Sequence, residues 1–313
     1  MPEARALPPL ERMLHLKRVP MLAGLASPEI AVLADAAGER TFSRGEVVFR
    51  EGEPVGSVHF VVRGSLATLR RGQRTGAVGP GGGVGGLALF ARDPLGTQVV
   101  AEERTLTLEL ESDAVYEVLE DRFPILHHIL RETSGRAIDL LTRFRLDPTV
   151  GIPECPIAGP AAAEVDFVDR IFFLRRQSVF RRSSITALAD LARAVAQVRF
   201  EPGVTLWREG EPSPGIFLVG GGFLQATSSA GLSFRAGPGF PLGALEAVAE
   251  RPRWYDVVTE TPVTALQGHM GALVDVFEDN FEMAMDYLSV IAQSTLRIVD
   301  WSSARGDDDE AAG

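Results

Sequence analysis

The most suggestive spacing in this chain is serine behind paired arginines. Arg175-Arg176-Gln177-Ser178 and Arg181-Arg182-Ser183-Ser184 both resemble a site that a basophilic kinase would read. A phosphate there would place negative charge and strong acceptor oxygens beside the guanidinium groups. His127 and His128 are adjacent, so on a helix they diverge by about 100° and cannot share a metal. The glycine-rich stretch Gly79–Gly86 lacks the trailing Lys-[Ser/Thr] of a nucleotide-phosphate loop. A single cysteine, Cys155, allows neither an intramolecular disulfide nor a cysteine-based metal cluster. No Ser/His/Asp arrangement or metal-ligand spacing stands out, so binding rather than catalysis is expected, with no metal site.

Charge narrows the partners. The formal net charge of −11 argues against a nucleic-acid binder, which needs a basic face to neutralise phosphates. It argues more weakly against anionic membranes. The start, MPEARALPPLERML, has no basic stretch leading into an apolar run, and no segment approaches the ~18 apolar residues of a membrane span. A soluble, cytoplasmic protein without DNA or membrane partners is expected.

The elements that must carry these residues occur twice. Residues 42–54 read FSRGEVVFREGEP and residues 200–212 read FEPGVTLWREGEP, an offset of 158. The offset holds for Gly64 and Gly222, Gly79-Pro80-Gly81 and Gly237-Pro238-Gly239, Gly85 and Gly243, Pro94 and Pro252, and Val99-Val100 and Val257-Val258. Such a period is too long for a solenoid unit and suits one compact domain. In each copy two leading helices are expected, the first near Leu10–Arg18, the next begun by Ser27-Pro28 as cap and first helical residue. Short β-rich runs then alternate with Gly, Pro and Asp turns from Glu39 to about Leu110, the pattern of a sandwich or small barrel. Helices return after each barrel: one capped by Ser112-Asp113, another through residues 124–144, and in the second copy around Met270–Phe277 and Phe281–Trp301. The domains expected are 10–146 and 164–303, joined by a proline-bearing linker over 147–163 and followed by a disordered acidic tail over 304–313.

LKRVPMLAGL before the barrel, RGEVVFREGEP at its start and GLALFARDPLGTQVVA farther on resemble the cyclic nucleotide-binding domain, and they do so twice, over nearly the whole chain. The resemblance implies a mainly β chain with flanking helices: two β jelly-roll domains in tandem. In that family a short helix within the roll, the phosphate-binding cassette, cradles the nucleotide, and helices after the roll act as a lid. Ligand-binding cassettes read like FGE-L-A-L-x-x-x-x-P-R-[ST]-A. The Gly and the helix start let backbone N–H groups approach the cyclic phosphate. The Arg gives that phosphate a two-pronged charged contact, and the Glu accepts from the ribose 2′-hydroxyl.

By that pattern the first cassette is degenerate. Gly85 is kept, but Gly86 stands at the Glu position, followed by Leu87, and Leu95 stands at the Arg position, followed by Gly96 and Thr97. A desolvated phosphate would have no cationic partner there. The second cassette keeps Gly243 and carries Arg253 at the Arg position, with Ala244 for Glu, then Leu245. Glu246 lies two residues on, roughly 200° around a helix and on the wrong side to replace the missing Glu. Trp254 and Tyr255 take the usual small positions, where two rings would either fill the phosphate and ribose space or stack on a base. Arg253 otherwise reads as a surface arginine after a turn proline. The acids of the two REGEP segments, Glu51, Glu53, Glu209 and Glu211, are expected to shape a turn.

The resemblance therefore implies a non-catalytic regulatory or sensor protein that needs no cofactor, with cyclic AMP or cyclic GMP as the candidate ligand of its second domain alone. The alternative is a protein-interaction scaffold that kept the fold and lost the nucleotide. A protein partner, or a second copy, would dock on the C-terminal helices, above all DYLSVIAQSTLRIVDW. Regulatory subunits of cyclic-AMP-dependent kinase use a sequence related to the Arg-Arg-Ser runs as a pseudosubstrate. Leu16-Lys17-Arg18, however, sits 158 residues before Leu174-Arg175-Arg176, which makes the basic pair part of a repeated helix. Phosphorylation of Ser178 or Ser184 and docking of an acidic partner remain open.

Overall fold

The computed structural model describes residues 6–92, 97–148 and 165–311, with side chains as far as residue 299. It divides into two compact units, 1–129 and 130–313. The division falls inside one helix, so residues 130–146, grouped by the repeat with the first domain, pack within the second unit. Nearly all of the 147–163 linker lies outside the described residues.

In the first unit α1 (Pro9–Lys17) and α2 (Ser27–Ala36) lead into β1 (Gly38–Phe42), β2 (Val47–Phe49), β3 (Ser57–Arg63), β4 (Leu66–Arg70), β5 (Gln73–Val78) and β6 (Gly83–Val84). A short helix α3 (Gly86–Ala91) interrupts the strands before β7 (Gln98–Ala101) and β8 (Thr105–Glu111); α4 (Ser112–Asp121) and α5 (Phe123–Phe144) follow. The second unit repeats the plan with α6 (Phe167–Arg176), α7 (Ile185–Ala194), β9 (Val195–Phe200), β10 (Thr205–Trp207), β11 (Gly215–Gly221), β12 (Leu224–Thr227), β13 (Ser233–Ala236) and β14 (Pro241–Leu242). Then come α8 (Ala244–Val248), β15 (Asp256–Thr259), β16 (Val263–His269), α9 (Met270–Asp279) and α10 (Phe281–Ala311).

Each unit holds two four-stranded antiparallel sheets of the same topology, β1-β8-β3-β6 with β2-β7-β4-β5, and β9-β16-β11-β14 with β10-β15-β12-β13. The register shift between Val61 and Arg63 in β3 recurs between Val219 and Gly221 in β11, again 158 residues on. Two glycines explain why some identities survive in both copies. Gly64 (φ +94°) and Gly222 (φ +83°) need the left-handed region, and a Cβ would strike the backbone at Thr105 or Pro262. Arg12 bonds the Leu7 and Ala37 carbonyls, and Arg170 bonds those of Val165 and Val195, so the same clamp ties each leading helix to its barrel.

Capping departs from expectation. Ser27 and Ser112 are the first residues of their helices and make no side-chain cap; Ala26 and Glu111 hold the cap positions. Asx and Ser capping is found in the second copy instead, where Asp166 accepts from the Asp169 N–H and Ser184 from the Ala187 N–H. The tail expected to be disordered is helical in its backbone as far as Ala311, while 312–313 lie outside the described residues. A helix already nucleated gains a hydrogen bond for each residue added, without a new nucleation cost.

Candidate functional site

The REGEP turns do structural work. Glu51 accepts from the Arg71 N–H (3.1 Å), and Glu209 accepts from the N–H and hydroxyl of Ser229 (2.7 Å each), which pins the loop before the third strand to the next hairpin in both copies. In the second copy the same turn holds the cassette. The Gly210 N–H donates to the Arg253 carbonyl and the Arg253 N–H donates to the Glu211 carbonyl, both at 2.8 Å. Arg253 is thereby delivered from two backbone bonds into the barrel.

It is not a surface arginine: its relative exposure is 3%. Arg253 Nη1 donates to the Gly243 carbonyl (3.2 Å) and to Glu246 Oε1 (3.3 Å), and Nη2 donates to the Gly215 carbonyl (2.8 Å). The guanidinium carbon lies 3.9 Å from the centre of the Trp207 ring, a cation–π contact. Glu246, set aside on helical geometry as a replacement for the ribose-binding acid, faces the arginine instead. Burial pushes its carboxyl up, against the pull of Arg253, and the Tyr255 hydroxyl donates to it. Burial first, then the Glu246 charge, pushes the Tyr255 hydroxyl well above its ordinary range.

Both aromatic residues fill space. Tyr255 is 2% exposed, with ring centres 5.3 Å from Phe234 and 6.0 Å from Trp207, in the core that also holds Val219, Phe240 and Val257. Trp254, half-buried, meets Tyr255 edge-on at 5.0 Å and packs against Leu141, Leu146 and Ile298, while the buried Tyr255 ring presents no free face where a base would stack. Gly243 opens α8 at φ +77°, where a Cβ would run into the Arg253 guanidinium. Ala244 is buried behind it and its carbonyl accepts from the Tyr287 hydroxyl (3.5 Å); Leu245 packs with Trp254 against Ile298.

The first cassette has no such cluster among its described residues. Gly85 (φ +95°) opens α3, Gly86 and Leu87 begin it half-buried, and Ala88 stands where the second copy has Glu246. Leu95 and Gly96 lie outside the described residues, and Thr97 is half-buried before β7. The interior beside this cassette holds His59, at the place of Phe217. Its ring lies 5.3 Å from Phe42 and 5.4 Å from Phe49, and its nitrogens reach the hydroxyls of Ser57 (3.0 Å) and Thr107 (3.1 Å). Burial lowers the His59 pKa to about 4, against the opposing pull of Glu109.

The other candidates resolve into packing. Arg175 donates to the carbonyls of Arg181 (3.1 Å) and Ser183 (2.8 Å), and the Ser184 hydroxyl is the α7 cap. His127 stacks on Phe123, and His128 bonds the Met21 carbonyl. Among the described residues no group of three or more His, Cys, Asp or Glu could hold a metal, and Cys155 lies outside them. Sequence reasoning missed Trp207, Gly215 and Tyr287 as partners of the cassette. The only signal was indirect: Trp207 replaces Phe49 in an otherwise matching REGEP segment.

The sequence model of the cyclic nucleotide-binding domain matches residues 39–122 and again 197–280, together more than half of the chain. A curated relative from Rhodopseudomonas palustris, named provisionally as a potassium channel protein, is 30% identical over 123 residues, 38% of this chain and 30% of that protein. The chain thus spans under a third of the length of that relative. Similar solved structures include the regulatory domain of Toxoplasma gondii PKA crystallised with cAMP (18% identity, 90% of this chain and 95% of that one, TM-score 0.35). Another is the regulatory subunit of a cAMP-independent protein kinase A from Trypanosoma cruzi bound to guanosine (18% identity, 89% and 84%, TM-score 0.34). On its two matches and two jelly rolls, this chain belongs to the cyclic nucleotide-binding domain family and carries that domain twice in tandem.

Proposed function

We propose that the chain is a non-catalytic regulatory or adaptor protein that works without a cyclic nucleotide, the charge of the second cassette's arginine being paired from within. One observation carries this reading: the carboxylate of Glu246 occupies the arginine that a cyclic phosphate would need, with both side chains 2% exposed. An entering phosphate would have to displace Glu246 and leave a buried carboxylate unpaired, which costs several kcal/mol, ~3–5 where such pairs are broken. It would also have to move Tyr255 out of the barrel core. At the first cassette the departures from the pattern, Gly86 and Leu95, support the same reading. The partner is then a protein. As far as residue 299, α10 offers it little apolar surface, because Met283, Leu288, Ile291 and Ile298 are already buried in the second unit. Among the described residues no helix is long and apolar enough to cross a membrane.

The competing reading, a sensor for cyclic AMP or cyclic GMP, rests on the presence of Arg253 at the phosphate position. Calorimetric titration of the whole protein with each nucleotide, beside Arg253→Ala, separates the two. No heat up to millimolar ligand is expected. Micromolar binding that Arg253→Ala abolishes would establish the sensor and overturn the proposal.

A further inference from the structure

Exposed apolar surface is concentrated on one helix. Of the nine large apolar side chains exposed among the described residues, Phe167, Val168 and Phe172 lie on α6, and Ile185 opens α7. Val168 is 55% exposed and Phe172 62%, although folding ordinarily buries both residue types. They stand four residues apart and so share a face of the helix, which Arg176 continues one turn on. Asp169, three residues before Phe172, borders the same face. The other side of α6, with Phe173 and Leu174, is buried in the second unit. Exposed apolar residues grouped with polar ones at their rim mark an interaction site.

The order of charge along this face selects the partner. The first turn of α6 carries Asp169, and the last carries Arg175 and Arg176. An acidic segment laid along α6 would meet the two arginines but also the aspartate. A second α6 running in the same direction would set aspartate against aspartate and arginine against arginine, which like charges oppose. A second α6 running in the opposite direction suits both ends. With a two-fold axis at Phe172, each Phe172 meets its copy. Asp169, three residues before the axis, then meets Arg175 and Arg176, three and four residues after it. At the helical rise per residue these charges stand within about 2 Å of one level along the axis. Val168 falls against the aliphatic stem of Arg176. Arg175 Nη1 already holds the Arg181 and Ser183 carbonyls, and Arg176 has an interaction of its own. A guanidinium has N–H groups in several directions, so a carboxylate can be added to either.

We propose that α6 is the seam of a homodimer, in which two copies of the chain pair antiparallel through Val168 and Phe172, with Asp169 facing Arg175 and Arg176 at both ends. Such an interface is isologous and closes at two copies. Its apolar centre is small, so the pairing is reversible and set by concentration. The seam is distinct from the C-terminal helices and from the second cassette. Its failure would therefore leave the nucleotide-independent reading untouched, and nucleotide binding would leave the seam untouched. The repeat offers a comparison on α1, where Leu10, Glu11, Leu14 and Arg18 hold the same places 158 residues earlier, with both leucines exposed. That face has no aromatic residue, and aromatic side chains rather than leucine dominate interface energetics.

Sedimentation velocity of the whole chain across the micromolar range should show monomer passing to dimer as concentration rises. Phe172→Ser should hold the chain monomeric with its circular dichroism unchanged, whereas Leu14→Ser, the equivalent change on α1, should leave the dimer intact. Charge reversal tests the register. Asp169→Arg and Arg176→Glu should each weaken self-pairing by about tenfold or more, by setting like charges face to face. An equimolar mixture of the two should recover dimer, because each reversed charge then finds an opposite one on the other chain. A chain that stays monomeric at every concentration would mean that the face is covered from within its own chain, and would overturn the proposal. So would a dimer that survives Phe172→Ser, one that Leu14→Ser breaks as readily, or a mixture that pairs no better than either variant alone.

Discussion

Arg253 Nη1 and Glu246 Oε1 stand 3.3 Å apart, seven residues apart in sequence, at the place where the family pattern has an arginine waiting for phosphate. The pair is enclosed by Trp207 on one face and by backbone carbonyls of Gly215 and Gly243 at its edge. Buried pairs of this kind seldom add stability over an apolar replacement, but losing one member is costly, because the other is left charged and unpaired.

Glu246→Ala should therefore destabilise the second unit by about 3–5 kcal/mol. Replacing both members, as in Glu246→Leu with Arg253→Met, should recover most of that loss. Denaturant unfolding followed by tryptophan fluorescence measures both in the second unit alone, because Trp207, Trp254 and Trp301 all belong to it. If the double replacement were as damaging as the single one, the cost would lie in shape rather than in unpaired charge.

The acid response of the first unit follows from His59. Its pKa falls from 6.5 to about 4 on folding, so between those values the unfolded chain binds more protons. Stability from this source is intact above pH 6.5 and is lost as pH falls through 4, a loss of about 3 kcal/mol at about 1.4 kcal/mol per pKa unit. The ring faces the Glu109 carboxylate at 3.5 Å, which opposes the shift, while Arg40 reinforces it. His59→Phe, the residue of the second copy, should flatten the first unit's stability over that window. An unchanged acid limb in the variant would place its origin elsewhere.

Two cassette glycines at neighbouring rather than equivalent positions, Gly86 in the first copy and Gly243 in the second, should respond differently to alanine. Gly86 has nothing nearer than Val58 Cγ1 at 4.0 Å from an added Cβ, and its φ is not left-handed. Gly86→Ala should be neutral or stabilise α3 by up to about 1 kcal/mol, the ordinary gain of Ala over Gly in a helix. Gly243→Ala combines a left-handed φ with a clash against the Arg253 guanidinium. It should lower the second unit's stability by more than about 1 kcal/mol, the scale for alanine forced into positive φ. Thermal unfolding of the two variants checks the contrast.

The fold was largely legible, because duplication doubles every signal. A glycine that recurs at an offset of 158 with the same neighbours is read once from each copy, and Gly64 and Gly222 indeed serve one turn geometry. The cassette was legible in position but not in state. Arg253 could be placed by pattern, yet whether it pointed outward or inward depended on Trp207 and Gly215, which are distant in sequence and come into reach only through β10 and β11. Glu246 lies on the wrong side of the helix to replace a ribose-binding acid, and the family pattern holds nothing to say that it meets Arg253 instead. The division inside α5 was hidden for a similar reason: repeat boundaries follow sequence, whereas Leu141 follows the contacts it makes with Ile298.

Freeing the arginine and the space beside it should restore a nucleotide site, if those two features are what exclude the ligand. Glu246→Ala removes the competing carboxylate, and Tyr255→Ala removes the ring that fills the barrel beside it. The double variant should bind cyclic AMP or cyclic GMP measurably where the parent does not. Adding Ala244→Glu should tighten binding further by supplying an acceptor for the ribose hydroxyl. The affinity should fall with added salt, because the new contact is a charge pair with a phosphate partly open to solvent. Truncating Tyr255 costs about 3–5 kcal/mol by analogy with other buried aromatic residues, so each variant must first be shown folded at the titration temperature by circular dichroism. Calorimetry on folded protein then decides. A folded double variant that stays silent would mean that the cassette backbone itself, from Gly243 to Glu246, no longer presents its N–H groups to an anion.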